Sequence, residues 1–266
     1  MRPLVVGIVN VTPDSFSDGG RHDTTEAAVA HALALAREGA DVLDVGGEST
    51  RPGAEPVPAD LEAARVVPVV AGIRRAGLAL PVSVDTRKAA VADAALAAGA
   101  TWVNDVTAGT GDPALLATAA RHGAGVMLMH MRGEPRTMQD APRYDDVTGE
   151  VLAYLVGRAR AALAAGVPPA RVWIDPGLGF GKTFAHNETL LRDLPRLVAS
   201  GFPVLVGASR KGFLGAITGR PVAGRLAASL ACVARAVEAG ARAVRVHDVA
   251  ETVDVVKVLA RIRPAG

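Results

Sequence analysis

The sequence predicts an α/β protein of one domain, residues 1–266, folded as a TIM (β/α)8 barrel, and three observations carry that expectation. Eight short runs rich in Val, Ile and Leu alternate strictly with eight longer segments of helical periodicity. The runs are continuously apolar, as strands are when helices cover them, and the alternation implies parallel pairing through right-handed crossovers. Eight such units in a chain of 266 residues have the count and size of a closed barrel. A doubly wound open sheet would carry a glycine fingerprint opening its first helix; here the first run leads into NVTPDSFSDGG at 10–20 instead.

The elements follow in order. LVVGIV at 4–9 is the first strand, and TTEAAVAHALALAREGA at 24–40 its helix. DVLDVGG at 41–47 precedes a helix over 59–77, PVSVD at 81–85 one over 87–100, and WVND at 102–105 one over 113–124. GVMLMH at 125–130 is followed by a long helix over 144–167, and RVWIDP at 171–176 by a helix over 187–201. PVLVGA at 203–208 leads to a helix over 222–241, with a further helix start near Ser209–Gly212, and AVRVH at 243–247 to the last helix, 248–262. Several helices close on Gly-Ala, at 39–40, 99–100, 123–124 and 240–241, where a glycine just past the last turn supplies the left-handed cap.

Composition narrows the function classes. Aromatics are only 3%, so the core is built of Ala, Val and Leu, and no aromatic series is available for base stacking. The net charge of +2 is close to balanced and no Lys/Arg block forms a nucleic-acid footprint, while the modest positive bias suits the attraction of a phosphorylated or carboxylated small molecule. No stretch approaches the ~20 apolar residues of a membrane span, and the first apolar run is too short for a signal peptide. The lone Cys232, on the apolar face of LAASLACVARAVEAG at 226–240, reads as a buried structural thiol and excludes an internal disulfide. Together these predict a soluble, reduced, cytoplasmic protein.

In a TIM barrel the site is built at the C-terminal strand ends. Here those ends are Asn10, Gly46-Gly47-Glu48, Asp85, Asn104-Asp105, Met129-His130, Asp175, Ser209-Arg210-Lys211, and Arg245 with His247. An Asp or Asn after a strand also serves as a turn or cap: Asp105, before Val-Thr-Ala-Gly, reads that way, and Asp85 fits a cap for the helix near Lys88 equally well. Caps alone do not explain six polar ends among eight. Two carboxylates and a carboxamide at one mouth suit a flat heterocycle with an amino-imino edge, since a carboxylate accepts two parallel N–H donors. Lys211, Arg210, Arg51, Arg245 and His247 suit phosphate and carboxylate groups.

Six motifs, in register from about Leu4 to Leu259, closely resemble the dihydropteroate synthases of the pterin-binding TIM-barrel family. They are NVTPDSFSDGG at 10–20, DVGGESTRPGAE at 44–55, SVDTRK at 83–88, DPGLGFGK at 175–182, GASRKGFLG at 207–215 and RVHDV at 245–249. The resemblance implies condensation of 6-hydroxymethyl-7,8-dihydropterin pyrophosphate with 4-aminobenzoate, by a dissociative route that needs no protein nucleophile. It implies that Asp85, Asn104, Asp175 and Lys211 hold the pterin, with Met129 as an apolar wall or simply as core. Asn10, Arg51, Arg245 and His247 would hold the pyrophosphate, with Asn10 acting through Mg²⁺. Phe16, Pro52, Phe180, Ser209 and Gly212 would line the 4-aminobenzoate slot, and Asp18, Thr50 and Arg51 would complete the transition state with Lys211. The first loop would act as a lid carrying Phe16, and the family suggests a homodimer through the later helices.

The chain departs from the family pattern at Gly212, where many relatives carry Ser, and at Arg132 and Glu134, in a loop expected to lie outside the pterin pocket. A corrinoid-linked methyltetrahydrofolate methyltransferase, on the same barrel, would lack the long first loop and the SRK lysine. A non-catalytic pterin-binding paralogue would be free to lose Asn10, Arg51, Arg245 and His247, and all four are present. His22, His31, His122 and His186 read as surface or helix positions.

Overall fold

The computed structural model describes residues 2–12, 21–51 and 53–262. Its strands are β1 (Leu4–Asn10), β2 (Val42–Gly46), β3 (Val82–Asp85), β4 (Trp102–Asp105), β5 (Gly125–Met129), β6 (Val172–Asp175), β7 (Leu205–Val206) and β8 (Ala243–Val246). They pair in parallel in the order β6-β5-β4-β3-β2-β1-β8-β7, and a parallel bridge between Ile174 and Val204 brings the two edges together. All eight expected strands are present.

The helices are α1 (Arg21–Glu38), α2 (Ala59–Arg75), α3 (Ala89–Ala97), α4 (Leu115–Arg121), α5 (Val147–Ala164), α6 (Phe184–Arg192), α7 (Leu194–Val198), α8 (Gly212–Thr218), α9 (Leu226–Ala239) and α10 (Val249–Ile262). The expected helix over 187–201 is two helices, broken at Asp193 (φ −90°, ψ 9°). Pro195 explains the break, because its missing N–H and its ring prevent α6 from continuing through it. The helix start expected near Ser209–Gly212 is α8, with Lys211 as its N-cap. Gly39, Gly99, Gly123 and Gly240 all have positive φ, between 60° and 111°, as their cap positions require.

Side-chain alternation divides the strands into an outer face and a barrel interior. The outward residues join the helices in one large apolar core, including Val5, Val45, Val84, Val103, Val126 and Val244. The inward residues at the bottom form a separate cluster of Val6, Val42, Met127, Trp173, Leu205 and Ala243, with Trp102 tilted against Trp173 at a centroid distance of 4.6 Å. Two residues further along each strand, the same inward face therefore carries Asp44, Asn104, Met129, Asp175, Gly207 and Arg245. An apolar plug closes the barrel below, and polar groups occupy its mouth.

Candidate active site at the barrel mouth

Arg245 on β8 is the hub of the mouth. Its Nε donates to Asp44 Oδ2 at 2.6 Å and its Nη2 to Asp85 Oδ2 at 2.7 Å. Asn104 Nδ2 donates to the same Asp44 oxygen at 2.9 Å. These contacts explain the fate of Asp85. The N-terminus of α3 is not capped by it: Asp112 Oδ2 accepts from Ala89 N–H at 2.8 Å instead. Asp85 is left facing the barrel interior. Asp105 does close a turn, its carboxylate accepting from the N–H of Thr107 and of Gly109.

Asp175, at the end of β6, is 5% exposed and accepts from Gly177 N–H at 2.7 Å. A Cβ on Gly207 would lie 3.8 Å from Asp175 Oδ2, 3.8 Å from Arg245 Cβ and 3.9 Å from Lys211 Nζ. These three side chains thus converge on one space, which glycine keeps open. Lys211 donates to the Leu178 carbonyl and lies 4.7 Å from the centroid of the Phe180 ring. Met129 is buried beside this loop: a Cβ on Gly177 would lie 3.1 Å from its Cγ.

Electrostatics follow from the burial of so many charges. Desolvation pushes the Asp85 carboxyl up to about 7; Arg245 opposes this, and the carboxylates of Asp44, Glu62 and Asp105 reinforce it. Desolvation likewise raises Asp175, against the pull of Lys211 and the Gly177 N–H. It lowers Lys211 to about 8, with Asp175 acting in the opposite sense. For Arg245 the two carboxylates outweigh desolvation and hold the guanidinium firmly charged.

A second cluster lies on the rim. Ser209 Oγ and His247 Nδ1 are 2.9 Å apart, and Ser209 Oγ also accepts from His247 N–H at 3.2 Å. Burial lowers His247 to about 4, and the nearby cations of Arg245, Arg210 and Arg51 add to that, so the ring is neutral. Arg210 gives both its Nε and its Nη2 to the single carboxylate of Asp248. Asn10 ends β1 in register with Gly46, Thr50 is half-buried and Arg51 is exposed. A side chain at Gly212 would meet nothing within 4 Å. Phe16, Asp18 and Pro52, and with them most of the expected lid, lie outside the described residues.

Arg132 bonds to Glu150 at 2.6 Å and stacks 3.9 Å over Tyr144, and Glu134 faces Arg87 at 3.6 Å. Two residues escaped the sequence reading. Asp44 stands mid-strand rather than at a strand end, and its one signal was a carboxylate interrupting an apolar run. Lys182 ends the DPGLGFGK motif, and it is only 1% exposed. Nothing in its neighbours in sequence announces that burial.

Residues 6–247 match the model of the family described as pterin binding enzyme. A dihydropteroate synthase of Neisseria meningitidis serogroup C is 49% identical over 264 residues, covering 96% of this chain and 91% of that protein. Among solved structures, the dihydropteroate synthase of Xanthomonas albilineans with 4-aminobenzoic acid superposes with a TM-score of 0.93 at 53% identity, over 100% of this chain and 94% of that one. The same organism's enzyme in complex with 7,8-dihydropteroate gives 0.89 at 50% identity, over 100% and 95%.

Proposed function

The chain belongs to the pterin-binding enzymes, and from that premise we propose how its own residues carry out dihydropteroate synthesis. In that reaction 6-hydroxymethyl-7,8-dihydropterin pyrophosphate and 4-aminobenzoate give 7,8-dihydropteroate and pyrophosphate. The observation that supports our assignment is the single space on which Asp175, Lys211 and Arg245 converge, bordered by the Asp85–Arg245–Asp44–Asn104 chain of hydrogen bonds.

Asp175 accepts the 2-amino and N3–H donors of the pterin, Lys211 donates on the O4/N5 side, and Asn104 and Asp85 meet the N1 to N8 side. Met129 supplies an apolar wall. Arg245 has spent two of its five N–H donors on Asp44 and Asp85, which leaves donors for the pyrophosphate beside neutral His247, Arg51 and Asn10. The C–O bond to pyrophosphate breaks first, with its electron pair leaving on oxygen. The amine nitrogen then bonds to the pterin methylene and loses a proton. The protein's work is to hold charge at the leaving group and aim the amine, so no nucleophile is needed. The slot for 4-aminobenzoate lies between Phe180, Ser209 and the backbone at Gly212; the resemblance adds Phe16 and Pro52 to it and gives Asp18, Thr50 and Arg51, with Lys211, to the transition state.

Mg²⁺ belongs to this reading as a companion of the pyrophosphate, where it neutralises leaving-group charge. The donor set fits such an ion. Among the described residues no group of three His, Cys, Asp or Glu could cage a metal, and Asn10 offers one strand-end amide oxygen. A Mg²⁺ that keeps waters and phosphate oxygens asks for no more. We also take residues 1–266 as one barrel domain, place the enzyme in the cytoplasm, and assign a homodimer through the later helices. Ile217 on α8 and Val222 before α9, both more than half exposed, lie on the later elements to which that dimer is assigned. Among the described residues no helix is long and apolar enough to cross a membrane.

The test is release of pyrophosphate from the pterin substrate when 4-aminobenzoate and Mg²⁺ are added to the purified protein. We expect stoichiometric pyrophosphate and dihydropteroate; absence of both would overturn the reading.

A further inference from the structure

The loop after β6 carries a lysine that the chemistry above leaves unused. Lys182 is buried, and its Nζ donates to His130 Nδ1 at 3.0 Å, to the His130 carbonyl at 3.2 Å and to the Phe180 carbonyl at 2.9 Å. An ammonium has three N–H donors, and these three acceptors match them one for one. All three acceptors are neutral: burial holds the His130 imidazole at about 3, with Lys182 adding to the effect. Desolvation also pushes Lys182 well below the ordinary lysine range, opposed chiefly by Asp175. A methionine would fill this space without desolvating a charge. What the lysine adds is three directed donors, and they join the end of β5 to the carbonyl of Phe180.

The surrounding contacts run in the same direction. Gln139 Nε2 donates to the Gly179 carbonyl at 2.7 Å and Tyr144 Oη to the Gly181 carbonyl at 2.8 Å. The residues following β5 thus grip the β6–α6 loop at its glycines, while the Phe180 ring projects toward Lys211.

We propose that Lys182 is a positioning residue for the second substrate, pinning the Phe180 backbone to the end of β5 so that its ring is set against 4-aminobenzoate before that substrate arrives. This rests on the reading that Phe180 lines the slot. A ring already ordered adds no ordering cost when the amine binds and keeps the amine aimed at the pterin methylene. Pterin recognition rests on Asp175 and the Arg245 hub, whereas the hydrogen bonds of Lys182 run to His130 and Phe180.

The experiment compares Lys182→Met, Phe180→Ala and the double variant, each in the intact enzyme with Mg²⁺. It measures KM for 4-aminobenzoate, kcat, and the calorimetric Kd of the pterin pyrophosphate. Lys182→Met should raise the aminobenzoate KM by roughly tenfold and leave the pterin Kd within about threefold, and the double variant should be no worse than Phe180→Ala alone. An unchanged KM in Phe180→Ala would sink the slot assignment itself. A raised KM there, with Lys182→Met normal or with the two effects additive, would sink only the pin. So would an equal loss for both substrates, which is what a merely structural lysine would give. If Lys182→Met does not fold, His130→Asn, which keeps an acceptor near the Nδ1 position, should hold the aminobenzoate KM near that of the unmodified enzyme. His130→Leu should raise it, and equal behaviour of the two would overturn the proposal.

Discussion

In the proposed pocket, Asp85 and Lys211 are the groups expected to set the pH window for pterin binding. Burial raises Asp85 to about 7 and lowers Lys211 to about 8. The carboxylate of Asp85 accepts N–H donors and is lost as pH falls through about 7; the ammonium of Lys211 donates and is lost as pH rises through about 8. Pterin affinity should therefore peak between these values and fall on both sides. Calorimetry of a pterin analogue from about pH 5.5 to 9.5 reads this directly; Asp85→Asn should shift the acidic limb to lower pH, leaving the part due to Asp175, and should spare the basic limb. A flat profile for the unmodified enzyme would remove both residues from the pocket. At this scale Asp175, Asn104 and Asp85 were legible because residue type and strand-end position coincide. Asp44 was not, because its importance comes from two partners distant in sequence: Asn104, 60 residues on, and Arg245, 201 residues on.

Among the elements, the β6–α6 loop shows the tightest fit between sequence and backbone. Gly177 has φ 66°, and a Cβ there would lie 2.0 Å from the His130 carbonyl oxygen; Gly181 has φ 61° and would meet the Arg132 carbonyl oxygen at 2.2 Å. Gly177→Ala carries both a left-handed backbone cost and a backbone clash, which together should destabilise the fold by about 2 kcal/mol or more. At ~2–4 °C per kcal/mol for a chain of this size, calorimetry should show Tm lower by roughly 5 °C. A Tm within about 1 °C would mean that the two loops are not packed together in solution. DPGLGFGK announced a loop, but the sequence did not say that its glycines exist to admit a neighbouring backbone. The split of the helix expected over 187–201 has a different origin: the apolar periodicity runs on past Pro195 and masks the break that this proline imposes at Asp193.

For the whole molecule, the homodimer proposed through the later helices is testable at Ile217, which is 60% exposed on α8. Light scattering should find twice the 27.1 kDa chain mass, and Ile217→Arg should shift it toward the monomer without changing the pterin Kd. A monomer for the unmodified protein would end the dimer assignment. By itself the sequence determined the eight strands, their order and the polarity of their ends, because burial on two faces demands continuous apolar runs and helix ends demand glycine caps. It determined the family as well, since six motifs in register constrain more than any one. Only the tertiary structure decided which side chains share the mouth. Closing the barrel turns alternate residues of the strands inward toward one mouth, so Arg245 comes to lie between Asp44 and Asp85. Lys182 follows the same logic: its burial is a property of two loops pressed together, which local sequence cannot express.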